Sequence, residues 1–157
     1  MIKIERYINE LMSSNCYIVW DDATKCAIVV DPGSEYSLRE IDFIEKHKLR
    51  LDYIILTHEH TDHTWGVNAL IEKHSTAKVV CSERCKEVLP RASQAYFKLY
   101  YNNIDYTYNV IRVDITAESI NSNLEWCGQT IEFVYTPGHS CGSMCFSIAN
   151  ILFTGDT

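Results

Sequence analysis

The length, composition and charge of the chain exclude several classes of protein. Its 157 residues suit one domain, and 46% hydrophobic against 22% charged residues is typical of a globular protein. No apolar stretch approaches the roughly 18 residues that a membrane span needs. The formal net charge of −7 disfavours a nucleic-acid partner, because nucleases usually present a basic face to phosphates. We therefore expect a small-molecule substrate and no membrane partner, with an oligomer left open.

The cysteines and the start of the chain indicate the compartment. The first six residues alternate in polarity, which predicts a strand and not a signal peptide. Seven cysteines without an export signal predict reduced thiols, and hence a cytoplasmic protein. Neither of the pairs Cys81/Cys85 and Cys141/Cys145 has zinc-knuckle spacing, so we interpret most cysteines as buried apolar residues.

Hydrophobic periodicity and turn residues predict alternating strands and helices. The predicted strands span residues 2–7, 15–20, 25–30, 53–56, 77–81, 124–127, 129–135, 143–148 and 151–153, and the predicted helices span about 38–47, 66–74 and 82–89. The strand, helix and strand around residues 53–81 form a βαβ unit, which requires a partly parallel sheet. The last four strands have the spacing of antiparallel hairpins.

A segment at about residues 90–121 does not fit this alternation, and its first part, Pro90 to Tyr101, is aromatic and helical in character. It contains Tyr96, Phe97, Tyr100 and Tyr101, which we expect to form one apolar face that partly borders the functional cleft. The segment is interpreted as an insert, and two roles are equally compatible with its sequence. It serves either as a lid or pocket wall, or as an aromatic patch that packs on the domain or forms a dimer face.

A dense cluster of metal-binding side chains follows the buried strand at residues 53–56. His58, His60, Asp62 and His63 lie within six residues, in the loop between that strand and the next helix. Because residues two apart in an extended segment point the same way, His58 and His60 can share one metal ion. Asp62 and His63 follow the turn of the chain and can reach a second ion nearby. Imidazole and carboxylate ligands suit zinc, iron or manganese.

This His-x-His-x-Asp-His pattern after a hydrophobic strand resembles the signature of the metallo-β-lactamase-fold hydrolases. Two further stretches are similar to motifs of that family, namely Thr136-Pro137-Gly138-His139-Ser140 and the strand that ends in Gly155-Asp156. The stretches Asn15-Cys16-Tyr17-Ile18-Val19 and Val30-Asp31-Pro32-Gly33 resemble the opening strands of the glyoxalase II-like branch.

The resemblance implies an αββα sandwich and a particular set of ligands. In this family pattern His58, His60 and His139 hold one metal, Asp62 and His63 hold a second, and Asp156 bridges both. The implied cofactor is Zn²⁺, one or two ions per chain, with iron or manganese as alternatives. The implied enzyme is a metal-dependent hydrolase, in which a metal-bound hydroxide attacks a thioester or ester and Asp62 is catalytic by orienting the nucleophile. Asp31 is either a residue that supports the ligands or a turn residue.

Departures from the family pattern refine this expectation. His63 and Asp156 disfavour a lactamase, and His60 disfavours a diiron oxygen-reducing enzyme. No histidine follows His139, so a last ligand that is typical of the family has no counterpart. We therefore expect a C-terminally truncated form of a longer hydrolase. The alternative to an enzyme is a non-catalytic or weakly active metal-binding fragment of such a hydrolase.

Overall fold

Two packed β-sheets with helices on one outer face form the body of the protein. The computed structural model describes residues 1–103, 105–106 and 108–157. The first sheet has six strands, in the order β1-β2-β3-β4-β5-β6, and the second has four, in the order β10-β9-β8-β7. The mixed α/β organisation predicted from the sequence is confirmed.

The first sheet is antiparallel at one edge and parallel in the rest. Strands β1 and β2 form the antiparallel part with β3, whereas β3, β4, β5 and β6 run parallel to one another. Their bounds are Ile2–Ile8 for β1, Asn15–Asp21 for β2, Cys26–Val30 for β3, Arg50–Ile55 for β4, Lys78–Cys81 for β5 and Ile115–Thr116 for β6. The short β6 was not predicted, because two residues carry no periodic signal.

The second sheet is antiparallel throughout and contains the hairpins predicted at the end of the chain. Its strands are β7 at Asn123–Trp126, β8 at Gln129–Tyr135, β9 at Met144–Ile148 and β10 at Ile151–Phe153. A 3₁₀ turn, Ala117–Ile120, leads into it. The outer face of this sheet exposes Val134 and Leu152, and none of the described helices covers it.

The alternation of side chains along the strands divides the core into two parts. In β3, Ala27 and Val29 face the helices, whereas Ile28 and Val30 face the second sheet. This follows from the two-residue period of a strand, which sends successive side chains to opposite faces. Both faces of β3 are therefore covered, as expected for a strand in a parallel sheet.

The helices lie on the other face of the first sheet. Their bounds are Leu38–Lys46 for α1, Thr61–Thr64 for α2, Val67–Lys73 for α3 and Glu83–Tyr101 for α4. The sequence predicted a short helix at 82–89 and helical character in the first part of the insert, from Pro90 to Tyr101, and the structure joins the two in the single helix α4. Proline removes one backbone hydrogen bond and does not prevent the helix here, because the following residues Tyr96 and Phe97 are buried against Leu11. The predicted insert at 90–121 includes positions 104 and 107, which lie outside the described residues.

Candidate metal centre

The candidate ligands gather where two parallel strands of the first sheet end. Asp31 directly follows β3, and the segment from Thr57 to His63 follows the adjacent strand β4. In open α/β sheets, bound molecules and ions commonly lie at the carboxyl ends of the strands, because the loops there converge. The backbone carries the sheet pairing into this loop, since the Leu56 amide donates to Val80 O at 2.9 Å.

A close backbone contact holds the loop at Asp62. The Asp62 carbonyl accepts a hydrogen bond from Asn9 Nδ2 at 3.1 Å, and it lies so close to Gly33 that a Cβ atom there would be 1.6 Å from the carbonyl oxygen. Only glycine permits this approach. The Pro32-Gly33 turn therefore fixes the position of Asp62 from the opposite side of the loop.

Three imidazole nitrogens converge on one point. His58 Nε2 is 3.1 Å from His60 Nδ1, and His139 Nε2 is 3.0 Å from the same atom. For zinc with Zn–N bonds of about 2.0–2.1 Å and tetrahedral angles, adjacent nitrogens should be about 3.3 Å apart. His60 Nδ1 has one position for a proton or a lone pair, so it can form a hydrogen bond with only one of its two neighbours. The geometry and donor chemistry thus fit a metal ion bound by these three side chains.

A second set of ligand atoms surrounds His63. His63 Nε2 lies 3.4 Å from Asp62 Oδ2 and 3.4 Å from Asp156 Oδ1. The nitrogen is buried and has no hydrogen-bond partner among the described residues. Asp156 also lies near the first set, because its Oδ2 is 3.5 Å from His139 Nε2. An unpartnered buried nitrogen between two carboxylates fits a second cation, which Asp156 would share with the first set.

Asp31 fixes the orientation of the His63 ring. Its Oδ2 accepts from His63 Nδ1 at 3.0 Å and from Thr57 Oγ1 at 2.7 Å, and its Oδ1 accepts from the Thr57 amide at 2.8 Å. Because the carboxylate occupies Nδ1, Nε2 remains directed at the other ligands. Asp31 adopts a left-handed backbone conformation with φ 51°, so it also forms a turn. The two roles proposed for Asp31 from the sequence are compatible.

Burial and neighbouring charges shift the pKa values of the histidines in opposite directions in the two sets. Burial lowers the pKa of His58 to about 3, and the neighbouring His63 adds to this effect. Burial also lowers the pKa of His60. Burial would lower the pKa of His63 as well, but Asp31 and the other carboxylates outweigh it and raise that pKa to about 9. His58 and His60 are therefore neutral at pH 7, as metal ligands must be, whereas the surroundings of His63 favour a cation.

The loop that carries His139 depends on contacts from other elements. It connects β8 to β9, and its Ser140 hydroxyl donates to Glu59 Oε2 at 2.9 Å. The Gly142 carbonyl accepts from Ser82 Oγ at 2.7 Å, and Ser82 also caps helix α4. A Cβ atom at Gly142 would be 2.6 Å from Cys85 Cα in helix α4, so glycine is required for this close contact. The His58–His63 loop and helix α4 thus jointly position His139.

A cleft of about 710 Å³ opens above these ligands. Its floor includes His60, Asp62, His139 and Asp156, one wall is helix α4, and the other is the turn at Met12–Asn15. A cavity of this size and mixed lining is typical of a small-molecule site. The aromatic residues of α4 contribute to the wall, since Tyr96 and Tyr100 both line the cleft.

A further cluster with metal-ligating atoms lies away from this cleft. Cys26, Asp52 and Cys127 each direct a ligand atom to one place. However, Arg50 already donates to Cys26 Sγ at 2.9 Å and to Asp52 Oδ1 at 2.7 Å. A guanidinium group occupies the position of a cation, so we assign no metal to this cluster.

The structure brings all the candidate ligands together, although two of them lie far along the chain from the other four. They are His58, His60, Asp62, His63, His139 and Asp156. Sequence reasoning missed Glu59, which stands between two ligands and gives no separate signal. It also missed Arg91, whose place in the cleft depends on the continuation of α4 through Pro90.

Comparison with known proteins identifies the family and the relatives. Residues 10–157 match the profile of the Metallo-beta-lactamase superfamily. The chain is 34% identical to "Lactamase-like protein nscB" of Arthroderma gypseum, over 93% of this chain and 40% of that protein. It is 27% identical to "Probable polyketide biosynthesis zinc-dependent hydrolase BaeB" of Bacillus velezensis, over 95% of this chain and 57% of that protein. The chain thus spans roughly half the length of these two curated relatives.

Solved structures agree with this fold. The BLEG-1 B3 metallo-beta-lactamase superposes with a TM-score of 0.77 at 22% identity, over 97% of this chain and 71% of that one. ETHE1 from Myxococcus xanthus superposes with a TM-score of 0.67 at 22% identity, over 97% of this chain and 56% of that one. The family match, the two-sheet fold and the converging ligand sets lead to one conclusion: the chain belongs to the metallo-beta-lactamase superfamily.

Proposed function

We propose that the protein is a metal-dependent hydrolase that binds two zinc ions and cleaves a thioester or ester of a small molecule. The observation that carries the proposal is the joining of two ligand sets at the floor of one cleft. Asp156 lies within 3.5 Å of both His63 and His139, the nearest members of the two sets. The relative named as a zinc-dependent hydrolase supports the choice of metal.

The proposed ligands divide between the two ions. His58, His60 and His139 would hold the first, His63 and Asp62 the second, and Asp156 both. Bound zinc would acidify a water molecule and polarise a carbonyl group.

The protein's own side chains would orient the reactants. The Asp62 carboxylate, fixed through its backbone contacts with Asn9 and Gly33, would accept a hydrogen bond from the attacking water. As the water oxygen bonds to the carbonyl carbon, its proton would pass to the Asp62 carboxylate. The bond to the thiol or alcohol then breaks, and the proton leaves with that group.

The proposal includes a cytoplasmic location and a small-molecule substrate. All seven cysteines are free thiols, which supports a reducing compartment. None of the described helices is long and apolar enough to cross a membrane. The acidic net charge of −7 supports a small substrate over a nucleic acid.

A panel of substrates tests this proposal directly. The zinc-loaded protein should hydrolyse a simple thioester, butyryl-N-acetylcysteamine, faster than a phosphodiester or a lactam. The variant Asp62→Asn, assayed at matched zinc content, should lose most of the thioester turnover. Faster cleavage of the phosphodiester or the lactam would overturn the proposed reaction.

A second candidate function is metal binding without efficient turnover. The observation that favours it is the exposure of two ligands, since the side chains of His139 and Asp156 are 34% and 42% exposed. Exposed ligands are held less firmly than buried ones. Tight zinc binding with no turnover of any panel member would support this alternative.

A further inference from the structure

The wall of the cleft formed by helix α4 is apolar along most of its length. Val88, Ala92, Ala95 and Leu99 recur every three or four residues and all line the cleft, so they occupy one face of the helix. At 1.5 Å per residue this face extends about 16 Å. Met12 lies on the opposite wall. The small side chains in the middle of the face leave room for an extended apolar group.

One positive side chain interrupts this apolar wall. Arg91 lines the cleft on the same helix, and among the described residues that line it no other is a lysine or arginine. It is exposed, and it makes no ion pair or side-chain hydrogen bond with any residue that the structure describes. Arg84, seven residues earlier on the same helix, by contrast forms an ion pair with Glu87, with Nη1 and Oε2 2.5 Å apart.

The acidic groups of the cleft interact with residues other than Arg91. Asp62 and Asp156 face His63, and Glu59 accepts hydrogen bonds from the His139 loop. Within the described part of the chain, Arg91 is thus a cation without a partner, in a cleft whose carboxylates lie at the floor. The chain as a whole carries a net charge of −7, which repels anions. The positive charge of Arg91 makes its part of the cleft favourable for an anionic group of a ligand.

We propose that Arg91 determines specificity by recognising an anionic group on the substrate, away from the bond that is cleaved. The substrate class is then a thioester or ester with an apolar portion along α4 and a carboxylate or phosphate near Arg91. This inference rests on the proposed hydrolase function and narrows it. The negative group belongs either to the acyl part or to the leaving thiol, and the test separates these sources.

Three thioesters distinguish the sources of charge. Butyryl-N-acetylcysteamine is neutral, glutaryl-N-acetylcysteamine is anionic in its acyl part, and butyryl-coenzyme A is anionic in its leaving thiol. For Arg91→Gln we expect kcat/KM to fall about fivefold to tenfold on at least one anionic substrate, mainly through KM. Turnover of the neutral substrate should change less than twofold. Arg91→Lys should recover most of the loss, because it restores the charge.

The matched control is Lys98→Gln. Lys98 is exposed on the same helix and does not line the cleft, so this variant removes the same net charge without touching the site. An equal loss on all three thioesters with Arg91→Gln would overturn the inference. The same selectivity in Lys98→Gln would also overturn it, because a general field and not a local contact would then be responsible.

Binding of non-hydrolysable analogues separates this inference from the proposed function. S-butyl-coenzyme A and the thioethers of neutral and carboxylated N-acetylcysteamine can be titrated into the zinc-loaded protein. If no thioester is cleaved, the proposed function fails, but a Kd that rises about fivefold to tenfold for an anionic thioether in Arg91→Gln still supports recognition by Arg91. An unchanged Kd for both anionic thioethers would contradict it.

Discussion

The two loops that supply the candidate ligands are built differently. The loop after β4 is buried, and the side chain of His63 is only 2% exposed, whereas that of His139 in the β8–β9 loop is 34% exposed. The first loop is fixed by the neighbouring ends of parallel strands, through Asp31 and the contact between Gly33 and Asp62. The second is fixed by side chains of other elements, Glu59 and Ser82.

The two loops therefore hold their ligands in different ways: the ring of His63 is held by a direct hydrogen bond, whereas the ring of His139 is held only through the position of its loop. A buried ring with a carboxylate on its second nitrogen retains its direction, because rotation would leave that nitrogen buried without its partner. An exposed ring has no such penalty and depends on the position of its backbone. Variants of the first loop should therefore affect metal binding more strongly than variants of the contacts that support the second.

The largest expected effect is from His58→Ala. His58 is the most buried of the three imidazoles that converge on the first metal position, so its removal should eliminate the tightly bound metal. Metal content after gel filtration, measured by elemental analysis, should fall by at least one equivalent per chain. His47→Ala is the control, since His47 is exposed and its ring lies against Phe43 and Trp20, away from the ligands. Unchanged metal content in His58→Ala would refute the assignment.

The next largest effect is expected from Asp31, which orients the His63 ring by accepting a hydrogen bond from it. Asp31→Asn removes the charge but retains the left-handed backbone, which asparagine tolerates. Loss of such a supporting carboxylate typically weakens metal affinity about 10-fold to 100-fold. Competition with a chromophoric chelator would measure the change. A zinc affinity equal to that of the unaltered protein would show that Asp31 is only a turn residue.

A smaller effect is expected when the support of His139 is removed. Glu59→Ala deletes the acceptor of the Ser140 hydroxyl and should weaken zinc at the three-histidine set about tenfold. Glu59→Gln should largely restore the affinity, because the amide oxygen can accept the same bond. If Glu59→Gln is as damaging as Glu59→Ala, the charge matters and the positioning role is wrong.

The smallest effect concerns the contact between α4 and the second loop. Ser82→Ala removes a helix cap and the bond to the Gly142 carbonyl, which should cost about 1 kcal/mol of stability. Chemical denaturation would measure this cost beside Ser75→Ala, an exposed serine in the loop before β5. We expect only a small change in zinc affinity. If Ser82→Ala lowered the zinc affinity as much as Asp31→Asn, the two loops would not differ in how they hold their ligands.

Local patterns in the sequence were sufficient to predict most of the fold. Continuous apolar runs predicted the buried parallel strands, and alternation with tight turns predicted the hairpins of the second sheet. The continuity of α4 through Pro90 was missed, because proline is a strong local signal for the end of a helix. The burial of Tyr96 and Phe97 against Leu11 outweighs that signal, and such a contact is not visible in a local window.

The sequence by itself determined the chemistry of the ligands, because the spacing of His58, His60, Asp62 and His63 in one loop restricts what they can bind. The resemblance to a family added His139 and Asp156, whose place could not be derived from spacing. Only the tertiary structure decided how the ligands are supported. Asp31 orients His63, Glu59 holds the second loop and Arg91 faces the cleft. These roles depend on distances between elements that are remote in the chain, and no local pattern encodes such distances.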